Sequence, residues 1–158
     1  VHVLLEARMK PGTMSPVPVI KSALCQSNLS ADIVIYDSPP GTSCPFIHTV
    51  AASDYVIIVT EPTPFGFSDM KQCVEILKQL EKPFGVVINR SGSGDTKVYE
   101  WMEQNKIKLL LEIPLLREIA EIYSEGKLLV DEAPEYKQKF LELVDTIKNQ
   151  VGFKYERN

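Results

Sequence analysis

An aspartate, Asp37, ends the apolar run Ile33-Val34-Ile35-Tyr36 and is followed by Ser38-Pro39-Pro40-Gly41-Thr42-Ser43. A carboxylate at a strand end can hold Mg²⁺, usually through water, because Mg²⁺ gives up its waters reluctantly. Pro39 and Pro40 each fix φ and remove an N–H donor. Gly41 lets its own N–H come close to a ligand. A helix expected to begin near Thr42 adds an N-terminus that favours anions. The combined chemistry would be metal and phosphate sensing. The plainer alternative is a stiff turn in which Asp37 caps the helix.

Three further loops carry unusual residues. Thr60-Glu61-Pro62-Thr63-Pro64-Phe65-Gly66 has two prolines and a glycine, with Glu61 able to bring charge to a site. By composition alone such a loop is more often a turn. Asn89-Arg90-Ser91-Gly92-Ser93-Gly94 begins with an amide that both donates and accepts, which suits the edge of a base. Its Gly/Ser run could cradle an anion but is by itself a flexible-loop signal. Ile113-Pro114-Leu115-Leu116 is again an apolar run meeting a helix. Cys44 adjoins the Gly41 loop, where a helix start can lower a thiol pKa. With no His or Cys near it in sequence, it reads by default as a small packed residue. His2 and His48 are isolated, and His48 reads as a structural residue of the helix after Gly41.

All four loops follow segments that read as strands: Ile33 to Tyr36, Tyr55 to Val59, Gly85 to Ile88 and Leu109 to Ile113. These Val/Ile/Leu runs lack strict alternation, the pattern of strands buried on both faces. Between and after them, apolar residues recur at spacings of three and four: Phe67, Met70, Val74, Leu77 and Leu80; Val98, Trp101 and Met102; Leu116, Ile119, Ala120 and Tyr123; Phe140, Leu143, Val144, Ile147 and Val151. Pro134 suits the start of the last helix, and Asp95 suits the N-cap of the helix holding Trp101. Upstream, Val3 to Leu5 could be a strand and Val17 to Leu24 a helix, joined by the proline-rich Lys10 to Pro18. The tail from Gly152 is polar and expected to fray. Strands alternating with helices predict right-handed crossovers and an α/β fold, three layers α/β/α around a mainly parallel sheet, in one domain over 1–158. In such sheets ligands bind beyond the carboxyl ends of the strands, which is where the four loops would lie.

Bulk properties narrow the function. The chain has 158 residues, 44% of them hydrophobic and 24% charged, with a formal net charge of −4, so no dedicated nucleic-acid surface is expected. Every apolar run is far shorter than the roughly 20 residues that span a bilayer, and no secretory signal is visible at Val1-His2-Val3. The three cysteines, Cys25, Cys44 and Cys73, match no zinc or iron–sulfur spacing. A sparse, odd count suits a reducing compartment, and the expected location is cytoplasmic. No Gly-x-x-x-x-Gly-Lys-Ser/Thr occurs, and no Gly-x-Gly-x-x-Gly that a dinucleotide-binding enzyme would need.

Taken in order, Asp-Ser-Pro-Pro-Gly-Thr-Ser-Cys-Pro, Val-Thr-Glu-Pro-Thr-Pro-Phe-Gly, Val-Ile-Asn-Arg and Ile-Pro resemble the MinD/ParA-type P-loop ATPases. The branch with an inserted ferredoxin domain is the most similar, and the likeness runs from about Val3 to Val151. The resemblance implies a partial P-loop NTPase fold and the cofactors ATP and Mg²⁺. It implies that Asp37 and Gly41 form switch II, with Asp37 positioning Mg²⁺ through water and Gly41 contacting the γ-phosphate region. It implies that Asn89 and Arg90 meet the adenine, with Pro114, Leu115 and Leu116 lining its pocket. The family's N-terminal strand, phosphate-binding loop, switch I acid and ferredoxin cysteines have no counterpart here. The expectation is therefore a C-terminal portion of such an ATPase, inactive alone because phosphoryl transfer depends on the P-loop and its lysine. Iron–sulfur clusters would belong to the insert and not to this chain. The implied partners are a second copy in a homodimer and an iron–sulfur or redox protein, switch II carrying the nucleotide state to them. The alternative is a non-catalytic binding module that keeps the fold and uses the switch II face for a partner.

Overall fold

The computed structural model describes residues 3–12, 14–27 and 31–152. His2 and the tail beyond Gly152 lie outside the described residues. The elements run α1 (Val17–Gln26), α2 (Cys44–Ala51), β1 (Val56–Thr60), α3 (Pro64–Gln79), β2 (Phe84–Ser91), α4 (Lys97–Gln104), β3 (Leu109–Pro114), α5 (Arg117–Ser124), α6 (Leu129–Glu132) and α7 (Pro134–Gln150). The strands form a parallel sheet of order β1-β2-β3.

Alternation along each strand sorts its side chains into two layers. On one face Ile58, Val86 and Ile88 pack with Phe46 and Val50 of α2, Met70, Val74 and Leu77 of α3, and Val98 and Met102 of α4. On the other, Val87 and Leu111 pack with Leu143 of α7, flanked by Phe140 and Ile147. Helices therefore cover both faces, giving three layers. Side chains as fully buried as Leu77 and Ile88 (both 0% exposed) contribute roughly 1.5–3 kcal/mol each. Helix starts follow local chemistry. Pro64 and Pro134 open α3 and α7 at positions whose N–H would have no helical partner. Thr63 caps α3, its Oγ1 accepting the Gly66 N–H at 3.1 Å.

Two strand expectations need correction. Ile33 to Tyr36 belongs to no sheet, and neither does Val3 to Leu5. Apolar residues suit a strand, but a strand also needs a neighbour for its N–H and C=O groups. Among the described residues Ile33 to Tyr36 has none; Ile33 and Ile35 are 50% and 86% exposed, and the segment is tied to the end of α1 by a 3.0 Å hydrogen bond between the Tyr36 and Ser27 hydroxyls. β1 is likewise buried on one face only. Ile58 and Thr60 point inward, while Ile57 and Val59 are 42% and 65% exposed, because α7 lies over β3 and β2 and does not reach β1. The short α6, with buried Leu129, was not legible in the periodicity.

Candidate functional site

Because the sheet is parallel, the loops after β1, β2 and β3 leave from one edge. β2 runs further than its apolar core, to Ser91, and so carries Asn89 and Arg90 inside the strand. Asn89 pairs with Ile113 and Ser91 with Pro114, so Arg90 is the extra residue of a β-bulge. Its φ of 55° lies in the left-handed region that residues with side chains seldom occupy. The bulge leaves Arg90 without a partner on β3, and its Nε lies 3.5 Å from Oε1 of Glu61, just past the end of β1. Leu115 N–H donates to the Ser91 carbonyl at 3.0 Å and Leu116 N–H to Pro114 at 3.0 Å, which fixes Pro114 to Leu116 beside the Asn-Arg pair.

The loops after β1 and β2 also lock together through their backbones. Asp95 N–H donates to the Pro62 carbonyl at 3.2 Å. Gly94, at φ 144°, lies so close that a Cβ there would collide with the Pro62 carbonyl. Gly66 is also constrained, though less: a Cβ there would stand 2.5 Å from the Glu61 carbonyl. Asp95 accepts the Lys97 N–H at 3.0 Å and pairs with the Lys97 ammonium at 2.9 Å. Those contacts with Lys97, the side-chain bond foremost, hold the Asp95 carboxyl below its ordinary range. The N-cap position is Thr96, one residue after the expected Asp95, yet Asp95 supplies the acceptor.

The Asp37 loop approaches from the α2 side. Lys82, just before β2, donates to the carbonyls of Ala51 and Ser53 at 3.0 and 2.7 Å and pins the end of α2 at the amino edge of the sheet. A helix leading into a parallel strand runs back along it, so α2 starts toward the carboxyl edge. Asp37 is exposed, Gly41 has φ 90° with open space where a Cβ would be, and no side chain caps α2, so Asp37 is not its cap. Cys44 is exposed at the first position of α2 and not packed as expected. Cys73 is the part-buried thiol, its pKa pushed up by burial and then by Asp69. Among the described residues no group of three or more His, Cys, Asp or Glu side chains could hold a metal.

The structure thus joins Asn89 and Arg90 to Pro114, Leu115 and Leu116, and leaves Asp37 and Gly41 on a separate loop. Leu115 and Leu116 are 55% and 43% exposed and border the edge without closing it. Sequence reasoning missed the partnership of Glu61 with Arg90 and the seat of Gly94 on Pro62. The charge of Glu61 is visible in the sequence, but nothing there says that the bulge at Arg90 turns toward it.

Comparison with known proteins agrees with the three-layer fold. Residues 16–151 match the ParA family, described as NUBPL iron-transfer P-loop NTPase. The chain is similar to two uncharacterized proteins of Methanocaldococcus jannaschii. MJ0579 is 35% identical over 99 residues, covering 62% of this chain and 33% of the relative. MJ0578 is 25% identical over 121 residues, covering 77% and 41%. Among solved structures, the cell division ATPase MinD of Pyrococcus furiosus matches with a TM-score of 0.57 and 26% identity, covering 72% of this chain and 50% of that one. The chain spans between a third and a half of the length of these proteins. With the match extending over most of its length and the fold agreeing, the chain belongs to the ParA/NUBPL iron-transfer family of P-loop NTPases.

Proposed function

We propose that residues 1–158 are the C-terminal portion of a MinD-like, Mg-ATP-binding ATPase domain that couples nucleotide state to an iron–sulfur or electron-transfer partner. The observation that carries this reading is the cross-strand pairing of Asn89 with Ile113 and Ser91 with Pro114, which unites the two motifs expected to meet the base. Asn89 and Arg90 then recognise and flank adenine, and Pro114, Leu115 and Leu116 border it.

Asp37 and Gly41 form switch II in this reading. A lone carboxylate fits a Mg²⁺ that keeps its waters and takes its remaining ligands from phosphates, and the open space beside Gly41 fits a phosphate approaching the backbone. The bound ion would neutralise charge on the transferring phosphoryl group. The phosphate-binding loop and its lysine would come from another part of the domain. The uncovered Ile57 and Val59 of β1, and Ile33 and Ile35 beside no strand, support the idea that the sheet continues past β1. Clusters would be held by the insert and not by this chain, whose Cys25, Cys44 and Cys73 match no iron–sulfur spacing. The protein would work in the cytoplasm as a homodimer, and no helix among the described residues is long and apolar enough to cross a membrane.

The test is a titration of the ¹⁵N-labelled chain with Mg-ATP, followed by NMR and calorimetry. Weak binding, or none detectable by heat, is expected, with shifts confined to Asn89, Arg90 and residues 114–116 at high nucleotide. Shifts only elsewhere would refute the base site. Joined to the phosphate-loop segment of a family member, the chain should hydrolyse ATP and lose that activity on Asp37→Asn. Turnover by the chain alone at the level of an intact relative would overturn the proposed division.

A further inference from the structure

We infer that Glu61 is a positioning residue that fixes the guanidinium of Arg90 beside Asn89, so that the flat face of the guanidinium can stack on a purine ring. The inference rests on the base-site reading above and adds to it a residue from a different strand.

Three observations carry it. First, Arg90 is the bulged residue of β2 at φ 55°, a conformation unfavourable for a residue with a side chain. Bulges re-aim side chains next to functional edges, and this one brings Arg90 Nε to 3.5 Å from Glu61 Oε1. Second, both side chains remain partly exposed, at 59% and 38%, and an exposed ion pair adds little to stability. The pair therefore does not offset the unfavourable backbone on stability grounds, and a role in orientation is the better account. Third, the two loops are held together independently of the pair. The Pro62 carbonyl accepts from Asp95 N–H, and Gly94 leaves room for that carbonyl. Glu61 is thus held at the height where it meets Arg90, and the loop bearing Arg90 is anchored at its far end.

A guanidinium has five N–H donors in one plane. An ion pair at Nε, with the carboxylate oxygen 3.5 Å away, restrains that plane and leaves the terminal nitrogens for a ligand. A planar cation held in one orientation stacks on an aromatic ring, which a free lysine-like charge would not do. Glu61 therefore contributes to base affinity by removing rotamers of Arg90 before the ligand arrives.

The experiment compares the wild-type chain with Glu61→Gln, a substitution of nearly equal size at a partly exposed site, and with Glu61→Asp, which keeps the carboxylate. Without ligand, the Arg90 Nε–Hε NMR signal should be shifted from the free-arginine position in the wild type by the nearby carboxylate. It should collapse toward the free-arginine position in Glu61→Gln and be partly recovered in Glu61→Asp. With adenosine as the probe, which carries no phosphate, Glu61→Gln should bind about three- to tenfold more weakly, the range expected from freeing one long side chain. An unchanged Arg90 signal in Glu61→Gln overturns the inference whatever adenosine does. Equal adenosine affinity in both proteins overturns its link to the base. A wild-type chain that shows no adenosine shifts at Asn89 or Arg90, while the Arg90 signal still depends on Glu61, overturns the base-site reading and not the positioning of Arg90.

Discussion

Replacing Gly94 by alanine tests the physical basis of the candidate edge more directly than any change to its polar side chains. Gly94 has φ 144°, and a Cβ there would collide with the Pro62 carbonyl, which accepts the Asp95 N–H at 3.2 Å. Two costs add. Forcing a side-chain-bearing residue into a glycine-only conformation costs about 1–2 kcal/mol. Displacing the carbonyl of the buried Pro62 breaks its hydrogen bond and leaves a polar group poorly paired, at about 1–3 kcal/mol. The sum is about 2–5 kcal/mol, against the roughly 5–15 kcal/mol that hold a domain together, and would lower Tm by roughly 4–20 °C. Gly92 supplies the control. It has φ 84° in the same loop, and a Cβ there meets nothing within 4 Å, so Gly92→Ala should cost only the backbone term, about 1 kcal/mol. Urea denaturation of both variants, with amide exchange at Asp95 as a local probe, separates the two costs. Equal destabilisation by Gly92→Ala and Gly94→Ala would refute the clamp between the two loops.

Other consequences can be checked with the same methods. Lys82→Met removes both hydrogen bonds to the end of α2 and should cost about 1–2 kcal/mol, with faster amide exchange in Thr49 to Ser53; unchanged exchange there would mean that α2 is held by packing alone. Tyr99, pushed up to about 12 by burial and then by its 2.7 Å hydrogen bond to Glu112, should ionise after the exposed tyrosines in an ultraviolet titration. Since its folded pKa lies above the unfolded value near 10, the associated stability is complete below pH 10 and is lost as pH rises toward 12. Glu112→Gln should bring that ionisation to lower pH, and an unmoved curve would contradict the assigned contact. Val59→Thr and Ile35→Ser, at exposed apolar positions, should change stability by no more than ~0.5 kcal/mol in urea denaturation; a loss typical of core valine would show that these faces are covered in solution.

The strands that became β1, β2 and β3 were legible because Val, Ile and Leu runs of that length are what a parallel sheet buries. The helices were legible through apolar residues at spacings of three and four, as in Met70, Val74 and Leu77 of α3. Ile33 to Tyr36 satisfied the same composition rule and failed, since a strand depends on a neighbour's backbone as well as on its own side chains. The residue types of the candidate edge were also visible in advance: Asn89 and Arg90, Pro114 to Leu116, Asp37 and Gly41. Their order along the chain carries the family resemblance.

What the sequence alone determined is therefore the kind of fold, the family, and which loops are candidates for chemistry, because these follow from local periodicity and from motifs read in order. Tertiary structure decided the rest. It set Asn89 against Ile113, turned Arg90 through a bulge toward Glu61, and seated Gly94 on Pro62. It left β1 with one bare face. These relations join residues far apart in the chain, and they depend on strand register and loop height, which come into being only when the sheet is assembled.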